Sequence, residues 1–156
     1  MTWRPDLAAA AIVQRDNRFL VVEERIRGVH VINQPAGHVD DGESIVDAAV
    51  RETLEETAWQ LVPRYLLGTY LWRNPANGQS ILRVAIVGDV VNHDPRRRLD
   101  VPVVAAHWMT REELLAQPER LRSPLVMRCI DDYLAGHRHE LSALAYLQSP
   151  VAALPA

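Results

Sequence analysis

Three glutamates at helical spacing are the residues whose types and positions could do chemistry. Glu52, Glu55 and Glu56 stand at positions i, i+3 and i+4, so their carboxylates would share one face of a helix. Like charges at that spacing destabilise a helix and raise one another's pKa, so the cluster needs a cation. Carboxylate oxygens select hard ions, Mg²⁺ first and Mn²⁺ next, and Mg²⁺ recruits substrate phosphates to complete its octahedron. The spacing therefore predicts a metal site for a phosphate-bearing substrate.

Acidic charge is concentrated around this cluster. Residues 37–56 contain seven acidic side chains and one basic one, Arg51, in a chain whose net charge is −3. An exposed, solvated helix face is the alternative interpretation of the three glutamates taken alone. A net charge this small does not favour a nucleic-acid partner.

The residues around the glutamates match a known signature. Gly37, five residues, Glu43, seven residues and the segment 51–59 resemble the Nudix box, the signature of Nudix hydrolases. One position departs, since Ala58 stands where the family usually has glycine. A glycine just past a helix end typically takes the left-handed conformation, which costs another residue roughly 1–2 kcal/mol. We therefore expect the helix exit to differ at Ala58, which follows all three candidate ligands.

The resemblance implies a fold, a reaction and a set of site residues. The fold would be α/β, a Nudix α/β/α sandwich with a central mixed sheet and a loop–helix–loop catalytic motif. The activity would be Mg²⁺-dependent hydrolysis of a pyrophosphate bond, with Mn²⁺ as a substitute ion. Glu52, Glu55 and Glu56 would hold the metal with the Ala36 carbonyl, and Glu52 and Glu55 would be catalytic. Glu52 is the favoured base, and a base outside the box, such as Asp100, stays open.

Other residues of the box predict structural support. Glu43 and Arg51 are eight residues apart, about two helical turns, with Asp47 between them. A carboxylate–guanidinium network of these residues would fix the preceding loop, which contains Gly37, against the helix.

Further segments resemble a bacterial subfamily that acts on pyrophosphates of the thiamin pathway. These segments are residues 19–24, 33–38, 82–83 and 121–126. The resemblance implies removal of the terminal phosphate from hydroxymethylpyrimidine diphosphate and thiamin diphosphate, with some action on nucleoside di- and triphosphates. One alternative is a pyrophosphatase that cleanses oxidised nucleoside triphosphates, and another is a Nudix domain kept as a non-catalytic ligand sensor.

Four residues are candidates for contacts with the substrate. Arg83 lies in an apolar strand, where a charged side chain needs a partner, so a phosphate contact and a structural ion pair are equally favoured. Gln34, Tyr70 and Trp72 could line a ring-binding pocket, although aromatic residues on a strand more often belong to the core.

The hydrophobic pattern predicts the elements that must position these residues. It indicates a hairpin of residues 7–13 and 19–23, a helix from Ser44, a second hairpin of residues 65–72 and 81–91, a strand at 103–108, a short helix behind a capping box at Thr110 and Glu113, and a last helix from Pro124 to about Leu134. A loop is expected after residue 23, with residues 33–37 at its far end. We expect one domain over residues 1–148 and a loosely ordered tail at 149–156.

Composition limits the class of protein. With 156 residues, 48% hydrophobic and 24% charged, the chain has the average composition of one globular domain. The chain has one cysteine, which cannot form an intrachain disulfide. It contains no apolar run of 18 residues, the length that would predict a membrane span. We expect no signal peptide, a cytoplasmic location, a monomer or homodimer, and a small-molecule pyrophosphate as partner rather than nucleic acid or membrane.

Overall fold

The computed structural model describes residues 1–149, which form two β-sheets and the helices that cover them. The elements in chain order are β1 (Asp6–Ile12), β2 (Gln14–Arg15), β3 (Arg18–Ile26), β4 (Val29–Asn33), β5 (Ala36–His38), α1 (Ile45–Thr57), β6 (Gln60–Arg73), β7 (Ser80–Val91), β8 (Val103–Met109), α2 (Arg111–Leu115) and α3 (Leu125–Leu134). Short 3₁₀ turns lie at Pro118–Arg120 and Leu141–Ala143.

The first sheet is mixed and carries helices on both faces. Its strand order is β5-β1-β7-β6, with β1 parallel to β7 and the other two pairs antiparallel. Neighbouring residues of β7 alternate between two hydrophobic clusters: Ile86 packs with α1 residues, and Ala85 and Val87 pack with α3 residues. The α/β/α sandwich with a mixed sheet is therefore confirmed.

Small side chains bring α1 close to this sheet. Ala9 and Ala11 of β1 pack in one cluster with Ala48 and Ala49 of α1, and all four are fully or almost fully buried. The helix begins at the Ser44 cap, whose Oγ accepts the Asp47 N–H at 3.0 Å. The alanine contacts leave little space between helix and sheet, so α1 residues lie near the edge strand β5.

The second sheet is antiparallel, and β3 is its central strand. β3 pairs with β2, β4 and β8. The short helix α2 begins at the capping box predicted at Thr110 and Glu113, with both reciprocal hydrogen bonds present. The predicted second hairpin is also confirmed, as β6 and β7.

Two local expectations need correction. Residues 7–13 and 19–23 form only the closed end of the expected hairpin, where the Leu20 N–H donates to the Val13 carbonyl at 3.0 Å, because β1 pairs with β5 and β7 in the first sheet while β3 lies in the second. The turn at Asp16 and Asn17, both with positive φ, instead joins the two-residue β2 to β3. The segment expected as a loop contains two strands, β4 and the three-residue β5.

Two further points concern the extent of the chain. The predicted loosely ordered tail lies outside the described residues except for Ser149. Among the helices of residues 1–149, none is long and apolar enough to cross a membrane.

The exit of α1 corrects the expectation about Ala58. Ala58 itself adopts the left-handed conformation, with φ 62° and ψ 14°, and its N–H donates to the Leu54 carbonyl at 2.9 Å. The residue is buried, at 2% exposure. The helix therefore ends as it would with glycine, and Ala58 carries the conformational cost of a side chain at positive φ.

The left-handed exit predicts how substitutions at Ala58 affect stability. We expect Ala58→Val to lower the free energy of unfolding by about 2 kcal/mol or more relative to Ala58→Gly, since a β-branched residue is strained at positive φ and the site is buried. Urea unfolding of both variants measures the difference. Equal stabilities would show that the exit is not left-handed.

Candidate active site

Two elements, α1 and β5, bring together the predicted glutamates and the predicted loop residues. The Glu56 carboxylate accepts the Ala36 N–H at 2.7 Å and is 7% exposed. Glu52 lies against Gly37, where an added Cβ would stand 2.2 Å from the Glu52 Cδ. Glycine is needed at position 37 because the carboxylate occupies the space of a side chain. Ala36, expected to offer its carbonyl to a metal, contacts Glu56 through its N–H.

Arg51 is the centre of the charge network predicted on the acidic side of α1. Its Nε and Nη2 donate to the two Glu43 carboxylate oxygens at 3.0 and 2.7 Å, in a bidentate pair. Its Nη1 donates to Glu52 at 2.9 Å and to Glu55 at 3.1 Å. Nη2 also donates to the His38 carbonyl at 3.0 Å, so the network joins the loop, β5 and the helix.

Burial and charge alter the acidity of these groups. Burial, and to a smaller extent the nearby carboxylates, raise the pKa of Glu56 to about 9, and the Ala36 hydrogen bond opposes this shift. Burial also raises the pKa of Glu52, against the contact with Arg51. The Arg51 hydrogen bonds lower the pKa of Glu43 and, through the same pairing, raise that of Arg51. Negative charge is therefore held on Glu43 and disfavoured on Glu56.

The donor set fits a hard divalent cation. Within residues 1–149, no three His, Cys, Asp or Glu side chains are already arranged to hold a metal ion. The reason is that Arg51 lies between Glu52 and Glu55, while Glu56 accepts from Ala36. All the candidate side-chain donors are nevertheless carboxylates, which suit Mg²⁺ and Mn²⁺, and a cation would relieve the repulsion among them.

A cavity of about 260 Å³ adjoins the carboxylates. It shares Ala36 and Gly37 with them and is otherwise lined by side chains of both sheets and of the segment before α3, among them Glu24, Asn33, Trp72, Arg83 and Arg122. Two guanidinium groups, four carboxamides and an indole ring thus line a cavity beside the candidate metal ligands. This composition suits an anionic ligand with a ring.

The structure separates the four predicted substrate residues. Arg83 and Trp72 line the cavity, but Gln34 and Tyr70 do not. The Gln34 amide is buried and donates to the Val126 carbonyl of α3 at 2.8 Å, and the Tyr70 hydroxyl donates to Asp132 of α3 at 2.8 Å. Gln34, between β4 and β5, and Tyr70 of β6 are therefore both hydrogen-bonded to α3.

Arg83 has carboxamide partners rather than the ion pair that was one expectation. Its Nη1 donates to Gln34 Oε1 at 2.7 Å and its Nη2 to Asn33 Oδ1 at 2.9 Å. Its Nε is buried without a partner among the described residues, and the side chain is 4% exposed. The guanidinium is positioned by neutral groups, so its charge remains available to an anion in the cavity.

Sequence reasoning missed two charged residues of the cavity, Glu24 and Arg122. Glu24 lies on β3 and is 9% exposed, and Arg122 Nη1 is 4.0 Å from its carboxylate. The available signal was the pair of acids, Glu23 and Glu24, that follows the buried apolar run of residues 19–22. Asp100, the suggested base outside the box, is placed by its N–H, which donates to the Glu55 carbonyl at 2.9 Å.

The close approach at Gly37 predicts a selective effect of one methyl group. We expect Gly37→Ala to leave the thermal stability near that of the wild type, because the clash is with the flexible end of Glu52, and to weaken Mn²⁺ binding at least about tenfold. Calorimetric titration with Mn²⁺ and a thermal melt test the two parts. Unchanged Mn²⁺ affinity would contradict this placement of Glu52.

The raised pKa of Glu56 predicts how pH affects the metal-free protein. The folded state retains a proton that the unfolded chain releases near pH 4.5, so this stabilisation is complete below pH 4.5 and is lost as pH rises to about 9. We expect the melting temperature to fall more steeply over this range in the wild type than in Glu56→Gln. The exposed change Glu112→Gln serves as the control, and a Glu56→Gln profile parallel to the wild type would refute the assignment.

Comparisons with known proteins identify the family. The family model described as the NUDIX domain matches residues 4–128. The curated protein phosphatase NudJ of Escherichia coli K12 is 34% identical over 148 residues, which cover 95% of each chain. A solved structure described as a NUDIX hydrolase from Nitrosomonas europaea is 44% identical, with a TM-score of 0.90 over 92% of this chain and 98% of that one. The chain therefore belongs to the Nudix hydrolase family, and it resembles the NudJ phosphatases.

Proposed function

We propose that this Nudix hydrolase removes the terminal phosphate from small organic pyrophosphates, with Mg²⁺ held by Glu52, Glu55 and Glu56. Nudix hydrolases generally use divalent metal ions and act on small pyrophosphate compounds. The observation that carries the proposal is the meeting of these carboxylates with a cavity that contains two guanidinium groups. The name phosphatase, carried by relatives 34% identical over 95% of the chain, supports the release of phosphate.

The carboxylates and their partners would have separate tasks. When bound, Mg²⁺ would neutralise phosphate charge and lower the pKa of a coordinated water. Glu52, held against Gly37, is our candidate for the base that orients and deprotonates the water. The bidentate Arg51–Glu43 pair would keep the loop and helix in register, and Glu56 would fix the β5 backbone through the Ala36 N–H.

The cavity supports a small substrate with a ring. Its volume of about 260 Å³ suits a single heterocycle rather than a large partner. Arg83 and Arg122 would attract the phosphates, and the Trp72 indole offers a surface for stacking a pyrimidine. We therefore place hydroxymethylpyrimidine diphosphate and thiamin diphosphate first among the candidate substrates, with nucleoside di- and triphosphates after them.

Product analysis on a substrate panel tests the proposal. We expect Mg²⁺-dependent release of orthophosphate from the two diphosphates, and loss of at least about 100-fold in rate in Glu55→Gln. Glu112→Gln, exposed on α2, is the matched control and retains the wild-type rate. Metal-independent release, or equal rates in the Glu55 and Glu112 variants, would contradict the proposal. Release of pyrophosphate from oxidised nucleoside triphosphates would indicate a nucleotide-cleansing enzyme instead.

A further inference from the structure

We propose that Glu24 of β3 is an additional carboxylate ligand of the divalent cation, supplied by the second sheet. The inference rests on the proposed function only for the presence of a cation beside α1. Glu24 belongs to none of the Nudix-box positions, and the sequence places it about 30 residues before the glutamates of α1.

The position of Glu24 is the first argument. The residue lines the same cavity as Ala36 and Gly37, the two β5 residues in contact with Glu56 and Glu52. Glu24 therefore reaches the cavity from the second sheet, beside the β5 residues that contact the glutamates of α1.

The burial of Glu24 is the second argument. The residue is 9% exposed, and its ion-pair partner, Arg122, stands at the limit of contact, 4.0 Å away. Burial raises the pKa of Glu24, and Asn33 and Arg122 oppose that shift. Burying a carboxylate is costly unless it is paired or coordinates a metal. A carboxylate that is buried, loosely paired and on the wall of the cavity suits a metal ligand.

The balance of charge around the cavity is the third argument. Four carboxylates, Glu24, Glu52, Glu55 and Glu56, meet three guanidinium groups, those of Arg51, Arg83 and Arg122. Arg51 forms its bidentate pair with a fifth carboxylate, Glu43. Arg51 also lies 3.5 Å from Asp40, so acidic groups outnumber basic ones here, and a divalent cation shared by Glu24 and Glu56 offsets part of the excess negative charge.

The neighbouring acid, Glu23, provides a matched control. Glu23 is held by His30 and by His107 at 2.9 Å, and it does not line the cavity. Glu23→Gln therefore removes one charge from the same strand without changing the cavity. Glu24→Gln removes the charge of the proposed ligand and leaves a side chain of nearly the same size.

The test is a titration of the full-length protein with Mn²⁺ alone, followed by calorimetry. We expect Glu24→Gln to bind Mn²⁺ at least about tenfold more weakly than the wild type, and Glu23→Gln to bind it equally well. The melting temperature measured without metal should not fall in Glu24→Gln, while its rise on adding Mn²⁺ should shrink. If Glu24→Gln does not fold, Glu24→Asp, which retracts the carboxylate by one methylene, should show the same weakening.

Three outcomes would overturn the inference. Wild-type Mn²⁺ affinity in Glu24→Gln, with a raised KM for pyrophosphates, would show that Glu24 positions Arg122 instead. Equal weakening in Glu23→Gln would show a nonspecific effect of charge on β3. A wild-type protein that binds no Mn²⁺ would remove the premise. Mn²⁺ binding is read without substrate, so a wild type that binds Mn²⁺ but hydrolyses no pyrophosphate refutes the proposed function alone.

Discussion

Repulsion among carboxylates, and the single guanidinium that restrains it, is the constraint on which the site depends. Glu52, Glu55 and Glu56 lie on one face of α1, and Arg51 binds two of them while it is held in a bidentate pair by Glu43. The third, Glu56, accepts a hydrogen bond from the backbone of β5. Arg51 and β5 thus offset part of the cost of assembling the glutamates on one helix face.

The position of α1 follows from the alanines that it shares with β1. Because Ala48 and Ala49 meet Ala9 and Ala11 without bulky side chains between them, helix and sheet approach closely, and residues of α1 reach the edge strand. A small residue is also needed at position 37, since any side chain there would displace Glu52. Small residues thus set distances in the site, while charged residues supply its chemistry.

The sequence predicted the local parts of this structure better than the parts that depend on long-range pairing. The helix face, the Glu43–Arg51 pair, the β6–β7 hairpin and the Thr110 capping box depend on residues near one another in the chain, and all are present. The pairing of β1 with β7 joins residues about 75 positions apart in the chain, and no turn signal predicts it. Gln34 and Tyr70 lie outside the cavity that Arg83 and Trp72 line, because their hydrogen-bond partners are on α3. Glu24 reaches the site only because two sheets meet.

The chemical groups and the walls of the cavity have different origins along the chain. The Nudix-box residues fall within one continuous stretch, 37–59, whereas most of the cavity wall comes from β3, β4, β6, β7 and the segment before α3. Substitutions in the walls can therefore change which molecule is accepted while the reaction itself is inherited intact. Trp72 is a clear example, since it stands on a different element from every candidate ligand of the metal. Related proteins can therefore evolve different substrate preferences through changes in the cavity wall, while the residues of the box stay the same.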